Sequence, residues 1–145
     1  MSKQESEQEQ EEILVWQKDT WGNYGQHSNK YTFVIDLTTL ETKAIYELVT
    51  VRHVNQDSRK NLHRYTYAKL SDITSKLQGK VLKQVNDYAS SSRKTVNVKY
   101  YLVTQQGLKE LETEKGLRDS EGFYDKVKVN GKTLIVRKDK VEISA

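Results

Sequence analysis

Residues 66–89, TYAKLSDITSKLQGKVLKQVNDYA, carry the clearest periodic signal in the chain. Tyr67, Leu70, Ile73, Leu77, Val81, Val85 and Tyr88 recur at steps of three and four. That spacing sets apolar side chains along one face of an α-helix. The phase runs on through Gly79, so the pattern predicts one helix over 66–89, weakened at the glycine by about 1 kcal/mol relative to alanine. A break at Gly79 into two shorter helices is the alternative. The rest of the predicted fold is arranged around this element.

Upstream, ILVW from Ile13 reads as a strand, and DTWGNYGQHSN (19–29) is rich enough in Gly, Asn and Asp to read as a loop. Lys30 to Thr39 is β-branched and aromatic, which predicts a second strand. Residues 43–54 fit two patterns. Thr38 followed by Glu41 matches a helix capping box, whereas the VTV run and the short interval after IDLTT favour a strand. The strand is the preferred reading, and it makes 13–54 a three-stranded antiparallel meander. NQDSRKNLHR (55–64) is a polar, basic loop.

Downstream, SSSRK (90–94) reads as a loop and Val96–Val103 as a strand. Thr104 can cap a short helix over 105–115 that stops at Gly116, with a loop to follow. Asn130-Gly131 supplies the positive backbone angles of a two-residue turn, so 126–136 is a hairpin, and 140–144 adds a last strand. The expected fold class is α+β. An antiparallel sheet, made of the N-terminal meander and the C-terminal hairpin, packs on one main helix within a single domain, 13–145. Residues 1–12, nearly all Gln, Glu and Ser, are expected to be a disordered acidic tail.

Composition narrows the chemistry. The chain of 145 residues has the size of one domain, with 35% hydrophobic and 30% charged residues. It contains no cysteine, which excludes disulfides, thiolate metal sites and cysteine nucleophiles. No stretch approaches the ~20 apolar residues of a membrane span, and the first residues lack the apolar run of a secretory signal. A cytoplasmic protein is expected. Charge is unevenly placed. Residues 1–51 carry 4 basic and 9 acidic side chains, residues 52–99 carry 11 and 3, and residues 100–145 carry 9 and 8. The basic excess occupies one contiguous third of the chain.

On a helix over 66–89, Lys69, Lys76, Lys80 and Lys83 fall within about 60° of one another. Only Asp72 and Asp87 share that side. Arg59, Lys60 and Arg64 precede the helix, and Arg93 and Lys94 follow it, extending the cationic surface. Trp21 and Tyr24 lie in a loop, where stacking on a ligand competes with ordinary packing. His53 and His63 flank the basic loop and could supply the base and acid of a metal-independent ribonuclease. No histidine spacing suits a metal, no glycine-rich phosphate loop is present, and the glutamates of ELETE lack an apolar setting; neither catalytic residues, nor metal, nor cofactor is expected.

The passage KYYLVTQQGLKELETEKG (99–116) is similar to the join between wing strand and helix in winged-helix DNA-binding domains, where a tyrosine-rich strand runs into a Thr-x-x-Gly helix start. The resemblance covers about a third of the chain. It implies that LSDITSKLQGKVLKQV (70–85) is a helix-turn-helix broken at Gly79, with Lys80 and Lys83 on the recognition helix. The 13–54 meander fits poorly before such a domain. The resulting expectation is a non-enzymatic nucleic-acid-binding accessory or regulatory protein, DNA or RNA being undetermined. A module that binds an acidic protein surface is the alternative, because charge steers both kinds of partner alike.

Overall fold

The computed structural model describes residues 11–144 and contains twelve strands, one short helix and one 3-10 turn. The strands are β1 (Glu12–Trp21), β2 (Gln26–Ile35), β3 (Thr42–Ala44), β4 (Val51–Asn55), β5 (Leu62–Lys69), β6 (Val81–Ala89), β7 (Lys94–Thr104), β8 (Gly107–Glu110), β9 (Thr113–Asp119), β10 (Gly122–Val129), β11 (Lys132–Val136) and β12 (Val141–Ser144). The helix, α1, is Leu70–Lys76, and the 3-10 turn is Ile45–Glu47. The larger sheet has the order β4-β5-β1-β2-β6-β7-β8 with β3 also beside β2, and the smaller has the order β12-β11-β10-β9. Every pairing is antiparallel.

The expected α+β fold with one main helix is therefore wrong. The protein is mostly β, and the stretch 66–89 is three elements in succession. It contains the end of β5, the short helix α1, and, beyond Gly79, the strand β6. Gly79 has φ +84, which ends the helical path and redirects the chain. The apolar positions of the apparent helix serve two different cores. Ile73 and Leu77 pack with Val15, Val34, Ile45, Val49, Ala68, Leu82 and Val103. Val81 packs instead with Ile35, Tyr100, Val127, Val129, Leu134, Val136 and Val141.

Strand alternation explains the two cores. Val34, Leu82 and Val103 point to one side of β2, β6 and β7, while Ile35, Val81 and Tyr100 point to the other. The second side is covered by the smaller sheet. On the first side the large sheet forks. β1 pairs with β2 only from Trp16 onward, beyond a bulge at Leu14/Trp16, and its first residues stay with β5. β3 takes the vacated place beside Phe33, Val34 and Ile35. The first core fills the fork, with α1 and the 3-10 turn as its plug.

Other expectations are corrected in the same way. The meander over 13–54 is replaced, because 43–54 divides into the end of β3, the 3-10 turn and β4, and β4 pairs with β5 and not with β2. In place of the helix expected over 105–115 stand a turn, β8 and the start of β9. The Thr104 hydroxyl accepts from the Gln106 N–H (3.2 Å) and donates to the Gly107 carbonyl (2.9 Å), closing the β7–β8 turn. Threonine serves a turn as readily as a helix cap. With no recognition helix, the winged-helix likeness does not extend to the fold. The hairpin at 126–136 forms as expected, with Asn130 at φ 51 and Gly131 at φ 77. Of the acidic tail, residues 1–10 lie outside the described residues. Glu12, within the expected tail, belongs to β1 and is bound by Arg52 at 2.9 Å. Among the described residues no helix is long and apolar enough to cross a membrane.

Candidate polyanion interface

Antiparallel order carries three connections to the same end of the large sheet. β1 ends at Trp21 opposite Gln26, β5 starts at Leu62 opposite Thr20, and β6 ends at Ala89 opposite both His27 and Lys94. The β1–β2 turn (22–25), the β4–β5 loop (56–61) and the β6–β7 turn (90–93) thus lie side by side at that end. Segments separated by up to 70 positions in the chain become one rim.

Each turn has its own local cause. Gly22 and Gly25 take φ +75 and +72, and the Gln26 side chain accepts from the Tyr24 N–H at 3.2 Å. A side chain on Gly22 would come within 2.6 Å of that amide oxygen. Tyr24 is left 84% exposed at the tip. Trp21 is half-buried and lies 6.5 Å from the Tyr88 ring on β6. In the β4–β5 loop the Ser58 N–H donates to the Asn61 carbonyl (2.9 Å), presenting Arg59 and Lys60 outward. In the β6–β7 turn the Ser90 N–H donates to the Arg93 carbonyl (2.7 Å), with Arg93 and Lys94 exposed.

The nine cationic residues singled out from sequence divide in two. Arg59, Lys60, Arg93 and Lys94 stand on the rim and make no ion pair among the described residues. Arg64 stands there too, paired with Asp57 at 2.9 Å, whose carboxyl it holds below the usual carboxylate range. The lysine face does not exist. Lys69 lies at the far end of β5, roughly 25 Å from the rim by strand rise, beside a cleft of about 600 Å³ lined by Glu12, Arg52, Tyr67 and Asp72. Lys76 pairs with Asp72 (3.1 Å) and Lys80 with Asp36 (2.8 Å). Lys83 stands on β6 on the side that faces the smaller sheet, where burial pushes its ammonium below the ordinary lysine value.

The histidines do not form an acid–base pair. His53 hydrogen-bonds Thr66 at 3.0 Å, and His63 stands three residues away from Thr66 on β5. Alternation therefore sends the two imidazoles to opposite sides of the sheet. His63 contacts Asp19, which also accepts from the Tyr65 hydroxyl at 2.8 Å, and His27 contacts Asp87 at 3.2 Å. Among the described residues no group of three or more His, Asp or Glu side chains is arranged to hold a metal.

Sequence reasoning missed a second feature at this end. On the side of the sheet continuous with the first core, strand register lines up Tyr65, Gln17, Lys30, Asn86 and Asn97 across five strands. Thr32, Gln84 and Lys99 form the neighbouring row toward the core, and Ser28 and Tyr88 the row toward the rim. The signal was present as polar alternation at Gln26, Ser28, Lys30 and Thr32, hidden because that stretch reads as half loop and half strand. Comparison with protein-family models, with curated proteins and with solved structures finds no match to this chain.

Proposed function

We propose that the protein binds a polyanion, nucleic acid in particular, through the three-turn rim. One observation carries this reading: Arg59, Lys60, Arg93 and Lys94, drawn from two separate connections, share one end of the sheet with exposed Tyr24 and with Trp21, and none is neutralised by a carboxylate. Unpaired cations beside aromatic rings are the combination that nucleic-acid surfaces use, charge for the phosphates and rings for stacking. The role is one of binding, and the residues assigned to it are Arg59, Lys60, Arg93 and Lys94, with Trp21 and Tyr24 beside them and Arg64 as a partly neutralised neighbour. Lys69, Lys76, Lys80 and Lys83 take no part in it.

The test is a titration of DNA, RNA and heparin with wild-type protein and with the variant R59Q/K60Q/R93Q/K94Q. The wild type should bind at low salt, and the variant should lose at least tenfold in affinity with an unchanged melting temperature. Absence of binding to all three polymers at low salt would overturn the proposal. Binding confined to an acidic protein would favour an interaction module in its place.

A further inference from the structure

The open polar face beside the rim has features that an ordinary solvated strand face does not need. Thr32 is 3% exposed, and its hydroxyl oxygen is buried with no hydrogen-bond partner. Buried polar atoms are nearly always satisfied, so an orphan hydroxyl on a functional face calls for a missing partner. Lys30, two residues along β2 on the same side, is half-buried and forms no ion pair among the described residues. Burial pushes its ammonium below the ordinary lysine value. The nearby carboxylate, Asp19, is already engaged by His63, Tyr65 and the Gln17 amide (3.2 Å). An unneutralised cation thus sits in a face that also carries the Gln17, Gln84, Asn86 and Asn97 carboxamides, with Tyr65 and a second lysine, Lys99.

At the rim side the same face ends in Trp21 and Tyr88, whose rings lie 6.5 Å apart. Rings and amides laid out on strands about 4.8 Å apart suit unpaired bases. Gln17, whose Nε2 already donates to Asp19 (3.2 Å) and to the Ser28 carbonyl (3.0 Å), offers a base edge an acceptor; Asn86 keeps its oxygen and one N–H beside its bond to Gln84 (3.4 Å); and each ring offers a stacking surface. A duplex keeps its bases stacked inside and can reach only the rim cations. Resting on the rim reading, we propose that the ligand is single-stranded nucleic acid. Its phosphates meet Arg59, Lys60, Arg93, Lys94 and Lys30, and its bases lie on the Gln17–Asn86 face against Trp21 and Tyr88.

The experiment is fluorescence anisotropy with the full chain and a labelled mixed-sequence 20-mer, as single-stranded DNA, single-stranded RNA and the matching duplex, with heparin as a sequence-free polyanion. Single strands should bind at least tenfold more tightly than the duplex. W21A/Y88A should lose about tenfold for single strands, a larger loss than for duplex or heparin. Because those rings pack on each other, N86D serves as a second variant. It alters a half-buried side chain without removing a ring and should lower single-strand affinity severalfold by repelling phosphate. Equal affinity for single and double strands, or unchanged single-strand binding in both variants, would overturn this inference and leave the rim reading standing. Absence of binding to every polymer would overturn the rim reading instead.

Discussion

The Tyr100 hydroxyl on β7 donates to Asp125 Oδ2 on β10 at 2.6 Å, joining the large sheet to the small one through a phenol that is fully buried. The other oxygen of Asp125 accepts from the Gly116 N–H at 3.0 Å, next to the bulge where β9 and β10 change register. One carboxylate therefore fixes both the stacking of the sheets and the shape of the β9–β10 hairpin.

Removing either partner should have unequal effects. Y100F deletes the donor, but Asp125 keeps the Gly116 N–H, and a loss of about 1 kcal/mol is expected. D125A leaves a buried hydroxyl without a partner and frees the Gly116 N–H, which should cost about 2–4 kcal/mol. Urea denaturation of both single variants and the double variant checks this. A D125A loss no larger than that of Y100F would show that the hydroxyl finds water after the change.

Burial and the Asp125 carboxylate push the Tyr100 phenol far above its ordinary value of 10.0. The sign follows from which state releases the proton. Above pH 10 the unfolded chain ionises this tyrosine and the folded chain does not, so stability present below pH 10 falls as pH rises further. The limiting slope for one such group is about 1.4 kcal/mol per pH unit. Wild type should lose stability between pH 10 and 11.5, and Y100F should lose less over that interval. Chemical denaturation at four pH values measures it; identical slopes would remove Tyr100 from the account.

Gly79 distinguishes the observed fold from the helix expected over 66–89. In a continuous helix, G79A would stabilise by about 1 kcal/mol. At φ +84 a Cβ meets no atom within 4 Å, yet the backbone angle itself is strained for alanine. A loss of about 1–2 kcal/mol is expected in place of a gain. Thermal melts of the two proteins decide between the signs.

The failure of the 66–89 pattern has a physical cause that reaches beyond this glycine. β6 is covered on one side by the fork and on the other by the smaller sheet, so Val81 and Leu82 are both buried and the strand shows no clean alternation. Joined to Ile73 on the inner face of α1 and to Leu77, which caps it, those residues imitate a helical stripe. Asn130-Gly131 was legible because its backbone requirement is local. The rim was half legible. The composition of 55–64 and 90–94 marked Arg59, Lys60, Arg93 and Lys94 as exposed cations, but that they stand together with Trp21 and Tyr24 depends on the strand order. Helical angles wrongly grouped Lys80 and Lys83 with them. Lys80 is instead held by Asp36, whose carboxyl is kept down at about 2 by that lysine and by the Thr39 and Thr38 N–H groups.

On the proposed rim reading, the salt dependence of nucleic-acid binding reports how many rim cations meet phosphate. For single strands the slope of log affinity against log salt is about −0.7 per phosphate neutralised. Arg59, Lys60, Arg93 and Lys94 acting together should give a slope near −3, and near −3.5 with Lys30 included. Each replacement by glutamine should make the slope less steep by about 0.7, whichever of the two connections it comes from. The variants K76Q and K80Q should leave it unchanged, since those lysines are paired with Asp72 and Asp36 away from the rim. Titrations at four salt concentrations between about 50 and 300 mM provide the slopes. If K76Q and K80Q lowered the slope as much as K60Q and R93Q, the contact would lie on the α1 side of the molecule, and the rim would have no special role.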